Sequence, residues 1–133
     1  MNLKHYRIVS GSGMSLEDAK TILKEKLIEE CNHGWKLQGG ASVQEKDLDK
    51  CTWYDLYQTI IPGKQKLSDY DIIYVKAPYA SLSEATDRIK DLAIEKYRNG
   101  WEIQGGATVD SEIIQEKSNW PNYKIYQTVI KKE

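Results

Sequence analysis

Two cysteines and two histidines are the side chains of this sequence best suited to binding a transition metal. Only Cys31 and His33 lie close together in the chain, while His5 and Cys51 are distant from both. Structural zinc sites use four ligands at short, regular spacings, and no such spacing occurs here. We therefore predict no metal and no cofactor, and we expect Cys31 to be a buried thiol.

The segment 9–15, VSGSGMS, is a second place for chemistry, because a glycine-rich loop ahead of a helix can bind phosphate. Its spacing matches neither a Walker nor a dinucleotide motif, and Glu17 and Asp18 would place negative charge beside a bound anion. We predict a turn here. No serine lies in a G-x-S-x-G turn, and the acidic positions 47, 49, 110 and 112 fall near predicted hairpin loops. We predict that the protein is not an enzyme.

The balanced charge and the lack of long apolar runs argue against nucleic acid and membranes as partners. The 133 residues include 19 basic and 20 acidic side chains, for a net charge of -1, which disfavours nucleic acid. Lys36, Tyr57 and Lys124 could join a nucleic-acid surface, but Glu102 replaces Lys36 in the second half of the chain. No apolar run approaches the roughly 20 residues of a spanning helix, and no signal peptide is evident. We expect a cytoplasmic protein with no membrane contact.

An internal repeat dominates the sequence. GWKLQGGASV at 34–43 returns as GWEIQGGATV at 100–109, and the flanking residues align at the same offset. Repetition on this scale is typical of a duplicated supersecondary unit. Each copy has a β-branched and aromatic strand, a helix capped by Ser15 or Ser81, an alternating strand and a further strand.

The fold class predicted is α+β: two β-α-β-β repeats with pseudo-twofold symmetry, mainly antiparallel, with one helix per repeat on the sheet. The first repeat should span 1–61, a linker 62–69, and the second repeat 70–133, all in one cooperative unit. The third strand should pair with both others. Since one helix cannot shield two faces, we expect the repeats to join edge to edge or to pack their open faces together.

The sheet face away from the helices is the first candidate site. Tyrosine beside amides and hydroxyls on this face suits an interface. Two interpretations stay open, a surface for a partner and the packing of the two repeats. The residues are Gln38, Gly40, Tyr57, Thr59, Gln104, Gly106, Tyr126 and Thr128.

A small pocket is the second candidate site. Gln58 and Gln127 fall on the helix side of the sheet, where a buried amide needs partners, either backbone near the glycine pair or a ligand. The predicted lining is Trp35, Gly39 and Gln58 in the first repeat and Trp101, Gly105 and Gln127 in the second.

The phrases GWKLQGG…LYQTI and GWEIQGG…IYQTV resemble domain of unknown function 1737, a family of short β-α-β-β proteins of bacteria and their phages. The resemblance covers nearly the whole chain as a tandem pair, and it implies a fold but no activity. This chain departs from the family in carrying two copies, which can replace a dimer of single units. We predict a non-catalytic binding or assembly module that recognises a protein partner, or associates with itself, through the open sheet face. The alternative is a protein of phage or mobile-element type that binds or sequesters a nucleotide or metabolite.

Overall fold

The computed structural model describes residues 5–77, 81–113 and 121–132. Its elements follow the predicted order, with one helix after the first strand of each repeat. They are β1 (Arg7–Gly13), α1 (Leu16–Cys31), β2 (Trp35–Leu48), β3 (Cys51–Pro62), β4 (Leu67–Ala77), α2 (Leu82–Arg98), β5 (Glu102–Ile113) and β6 (Pro121–Lys132). The fold is therefore α+β with two β-α-β-β units, as predicted.

Each repeat forms its own antiparallel three-stranded sheet. The strand orders are β1-β3-β2 and β4-β6-β5, so the last strand of each repeat is central, as expected. The glycine pair interrupts the pairing of β2 and of β5, with register shifts between Gln38 and Ser42 and between Gln104 and Thr108. Gly39 and Gly105 adopt φ values of 70° and 69°, a conformation that favours glycine and allows the bulge.

Serine caps begin both helices. The Ser15 hydroxyl accepts a hydrogen bond from the Asp18 amide at 3.0 Å, and the Ser81 hydroxyl accepts one from the Glu84 amide at 3.1 Å. These contacts fix where each helix starts above its sheet.

An ion pair joins the first strand of each repeat to its helix, but the charges are reversed between the repeats. Arg7 pairs with Glu30 at 2.9 Å, whereas Asp71 pairs with Lys96 at 3.1 Å. The strand register makes Arg7 equivalent to Asp71, since Val9 lies opposite Gln58 and Ile73 opposite Gln127.

Three predicted boundaries differ from the structure. The segment 9–15, predicted to be a turn, is strand as far as Gly13, and Gly11 within it lies against the backbone of α1. The segment between β3 and β4 spans only 63–66, because β4 already begins within the predicted linker 62–69. The polar stretch 45–52 is mostly strand rather than loop, since its charged side chains pair across the hairpin: Tyr54 donates to Glu45 at 3.1 Å and Lys46 pairs with Asp55 at 3.1 Å. Most of the corresponding loop, 114–120, lies outside the described residues.

The largest apolar cluster is shared by the two repeats. Leu23 and Leu27 of α1 and Leu56 of β3 pack in the same cluster as Ile72 of β4 and Ile130 of β6. Smaller clusters lie beneath α2, around Val75 and Ala85 and around Trp101 and Val129. The packing of the first repeat is thus completed by strands of the second.

Candidate protein-binding surfaces

Each sheet has a helix side, covered in part by its own helix, and an open face on the other side. The contact between the repeats places the second open face on the first helix side. Tyr70 donates a hydrogen bond to the Gln58 Oε1 at 3.0 Å, and the Ala41 amide donates to the Thr128 Oγ1 at 2.8 Å. This contact buries five residues of the second open face and leaves Tyr74 on the same face 40% exposed: the buried residues are Tyr70, Ile72, Tyr126, Thr128 and Ile130.

The contact therefore joins unlike surfaces of two similar repeats. A Cβ at Gly40 would lie 3.1 Å from the carbonyl oxygens of Gln104 and Gly106, and one at Gly105 would meet the Gly40 nitrogen. The same construction at Gly39 and Gly106 meets no atom within 4 Å among the described residues. A twofold-related contact would give equivalent glycines equivalent surroundings. The observed contact differs from both the edge-to-edge and the open-face pairing that we expected.

The predicted open-face residues consequently divide into two groups. Tyr57, Gln38 and Gly106 are exposed, and Thr59 and Gly40 are half-buried. Tyr126 and Thr128 are buried by the first repeat, so neither side chain is accessible to an outside partner. Gln104 is half-buried and its amide donates to the Gly39 carbonyl at 3.0 Å. The second open face thus packs the repeats together, whereas Tyr57 and Gln38 of the first open face stay exposed.

The predicted pocket is closed in the first repeat. The Gln58 side chain is fully buried, and its Nε2 donates to the carbonyls of Gln38, Gly39 and Thr59 at 3.1–3.2 Å. In the second repeat, the Gln127 Nε2 donates to the Gly105 and Thr128 carbonyls at 3.1 and 3.0 Å. Both glutamines therefore bond to the backbone at the bulge, one of the two roles that we expected for them.

The two tryptophans of the predicted pocket lie beside cations. The Arg7 guanidinium is 5.1 Å from the Trp35 ring centre, and the Lys96 ammonium is 4.3 Å from that of Trp101. Trp101 lines two clefts of about 280 and 240 Å³, and neither lining includes Gln127 or Gly105. The structure does not bring Trp101 together with the other predicted pocket residues.

The larger cleft lies between α1, β4 and α2 and is lined by paired charges. Lys20 contacts Asp71 at 2.8 Å, Lys96 contacts Asp71 at 3.1 Å, and Lys24 contacts Asp69 at 2.8 Å. Burial alone would raise the pKa of Asp71, but the hydrogen bond and charge of Lys20 outweigh it, so the pKa is lowered. Sequence reasoning missed these pairs because most of them join different repeats, and only the packing brings them together.

Acid should weaken the fold through Asp71. A carboxyl whose pKa is lower in the folded state stabilises the protein above its unfolded pKa, and this stability is lost as the pH falls through the folded value. We expect Asp71→Asn to cost about 2 kcal/mol at pH 7, because it leaves the mostly buried Lys20 with only the exposed Glu17 as a counter-ion. The difference from wild type should shrink at pH 3.

Urea unfolding at both pH values measures this effect, with Asp69→Asn as the matched control. The Lys24–Asp69 pair is more exposed, at 40% and 34% for the two side chains, so its loss should matter less. Equal losses for the two variants at pH 7, or a difference that is the same at pH 3, would contradict the assignment.

Comparisons with family models, with curated proteins and with solved structures find no match to this chain. The resemblance to domain of unknown function 1737 rests on its motifs and stays a prediction. In the ranges that the structure describes, neither helix is long and apolar enough to cross a bilayer. Across those same ranges, no group of three or more Cys, His, Asp or Glu residues is arranged to hold a metal ion.

Proposed function

We propose that this protein is a non-catalytic binding or assembly module that recognises a protein partner through its first open face. This face is the side of the β1-β3-β2 sheet turned away from α1. It presents Ile8 and Ser10 from β1 and Tyr57 and Thr59 from β3. Apolar and aromatic side chains mixed with small hydroxyls are typical of recognition surfaces.

The observation that supports the proposal is the contrast between equivalent residues of the two open faces. Ile8 is 58% exposed and its equivalent Ile72 is 1% exposed, while Tyr57 is 38% exposed and Tyr126 is 3% exposed. A face of nearly the same composition is thus a packed interface in the second repeat. The first open face has the chemistry of that interface without an occupant among the described residues.

A small ligand has less support. Gln58 is buried and satisfied by backbone carbonyls and Tyr70, so it does not face an open cavity. The charges of the 280 Å³ cleft between α1, β4 and α2 neutralise one another, so this cleft has no excess of positive charge for a phosphate. A wider cleft of about 470 Å³ is lined by Lys36, Lys64, Lys66 and Lys132, and it would be the place for an anionic ligand. The exposed residues of the first open face therefore suit a protein partner better than a small ligand.

The test compares two double variants in affinity capture from a lysate of the native cells. Ile8→Ser with Tyr57→Ser removes the apolar groups of the first open face. Met14→Ser with Ile22→Ser is the control, because these side chains are 64% and 40% exposed and lie in the turn before α1 and on α1. We expect the face variant to lose at least tenfold of the captured protein, since central apolar contacts dominate binding.

The control should capture the same proteins as wild type. Equal capture by all three proteins would contradict the proposal. A thermal-shift screen with nucleotides and metabolites gives a second check, because strong stabilisation at micromolar levels would favour the ligand alternative.

A further inference from the structure

We propose that the partner is a second copy of this chain, docked head to tail. The first open face of one copy would cover the second helix side of another and repeat the contact that joins the two repeats within the chain. This inference rests on the proposed function, because it names the occupant of the same face.

The within-chain contact is heterologous, so it leaves one surface of each kind unused. Two unlike surfaces meet, and a contact of this type continues until a ring closes or a filament grows. The second open face and the first helix side are consumed inside the chain. The first open face and the second helix side remain, and they are the structural equivalents of the two surfaces already in contact.

The second helix side is exposed where its equivalent is buried. Leu37 is 6% exposed, but its equivalent Ile103 is 49% exposed. Val43 is half-buried and packs against the shared core, whereas Val109 is 52% exposed. Leu37 and Val43 lie on β2, the strand that the second open face covers, and Ile103 and Val109 lie on the equivalent strand β5. A second copy would return Ile103 and Val109 to the environment of Leu37 and Val43.

The polar groups of the contact also have unused equivalents. Tyr70 donates to the Gln58 Oε1 within the chain. Tyr6, one residue before β1, is the sequence equivalent of Tyr70 and is exposed, and Gln127 is the equivalent of Gln58. Among the described residues, no donor contacts the Gln127 Oε1. A second copy would supply its Tyr6 hydroxyl to this acceptor.

The bulge of the second repeat has room for the same approach. Gly40 lies against the carbonyls of Gln104 and Gly106, while its equivalent Gly106 has no described atom within 4 Å of an added Cβ. In the proposed contact, Gly106 would face the Gln38 and Gly40 carbonyls of the second copy. The assembly would then require glycine at 106, although an added Cβ there meets no described atom within the chain.

The flanking ion pairs are not reproduced in the proposed contact. Lys20–Asp71, Lys24–Asp69 and Lys124–Glu45 flank the contact within the chain. The corresponding positions are Thr86 with Arg7, Lys90 with His5, and Ser111 with Asp55. The contact between copies should therefore be weaker than the one inside the chain, and added salt should change it little.

Three single substitutions and a mixing experiment test the proposal. Ile8→Asp alters only the first open face and Val109→Asp only the second helix side, and both positions are exposed, so each variant should fold. Light scattering coupled to gel filtration should show wild type larger than one chain at up to about 100 μM, in 50 mM and in 500 mM salt. Each variant should associate at least tenfold more weakly.

An equimolar mixture of the two variants should form a 1:1 dimer, because each retains the surface that the other lacks. A self-complementary contact would give no such rescue. Gly106→Ala should also weaken association tenfold or more while leaving the monomer's unfolding unchanged, since the added methyl occupies space only at the new contact. Ile22→Asp is the control with an equal charge on exposed α1 surface.

A monomeric wild type at 100 μM would overturn the proposal, as would variants that associate like wild type or a mixture that stays monomeric. Failure of this inference is distinguishable from failure of the proposed function. A monomeric chain that still captures another protein in a manner dependent on Ile8 and Tyr57 retains the function without the second copy. If the chain is monomeric and the proteins that it captures do not depend on Ile8 or Tyr57, both proposals are wrong.

Discussion

Gly105→Ala is expected to destabilise the protein by more than about 3 kcal/mol, whereas Gly39→Ala should cost only about 1 kcal/mol. Both glycines have φ near 70°, so both substitutions carry the same left-handed backbone penalty. They differ in their surroundings. An added Cβ at Gly105 would overlap backbone atoms of Gly40 and Gly39, while one at Gly39 meets open space among the described residues.

Urea unfolding at pH 7 measures both variants, and the difference between them isolates the contact between the repeats from backbone strain. The clash is with backbone rather than with a flexible side chain, so relief requires the two bulges to separate. The denaturant slope should stay similar if the fold is retained. Similar losses at the two positions would show that the repeats do not meet through unlike faces of their bulges.

Gln58→Leu should cost about 3 kcal/mol, and Gln127→Leu about half as much. Leucine fills a similar volume but takes the Gln58 donor away from the Gln38 carbonyl and leaves the Gly39 carbonyl with only the Gln104 amide, and it removes the acceptor of the Tyr70 hydroxyl. Burial raises the pKa of Tyr70, so this phenol stays neutral and acts as a donor at ordinary pH. Among the described residues, no phenol contacts Gln127 as Tyr70 contacts Gln58.

A double-mutant cycle separates the two parts of the loss. Tyr70→Phe should cost about 1–2 kcal/mol in wild type and much less in the Gln58→Leu background, because the hydrogen bond is already absent. The Tyr70 hydroxyl also forms a side-chain hydrogen bond with Thr128, and the residual cost reports this contact. Additive losses would mean that Gln58 stabilises only its own bulge, with no contribution to the contact between repeats.

The elements of this fold could be predicted because local signals agree in both copies. Each of these signals depends on residues that are close together in the chain: the serine caps, the helical stripe of Leu23 and Leu27, and the glycine pair. The strand over 45–52 could not be predicted, since its charged composition indicates a loop. Its pairing depends on partners across the hairpin, such as Asp55 for Lys46.

The contact between the repeats could not be predicted for a different reason. Tyr57 and Tyr126 occupy the same motif, as do Thr59 and Thr128, yet one member of each pair is accessible and the other is buried. Local sequence cannot distinguish identical residues whose environments are set by the packing of the two repeats against each other. The ion pair of Lys20 with Asp71 joins the two repeats, so it forms only when they pack together.

The reversed strand-to-helix ion pair has a consequence for folding fidelity. Because the two repeats have the same architecture, the first strand of one repeat can pack against the helix of the other. Such misassembly is a common failure of repeat proteins. If β1 docked beneath α2, Arg7 would meet Lys96, and if β4 docked beneath α1, Asp71 would meet Glu30. Repulsion between like charges penalises both mispairings. The opposite polarity of the two ion pairs therefore favours the pairing of each first strand with the helix of its own repeat as the chain folds.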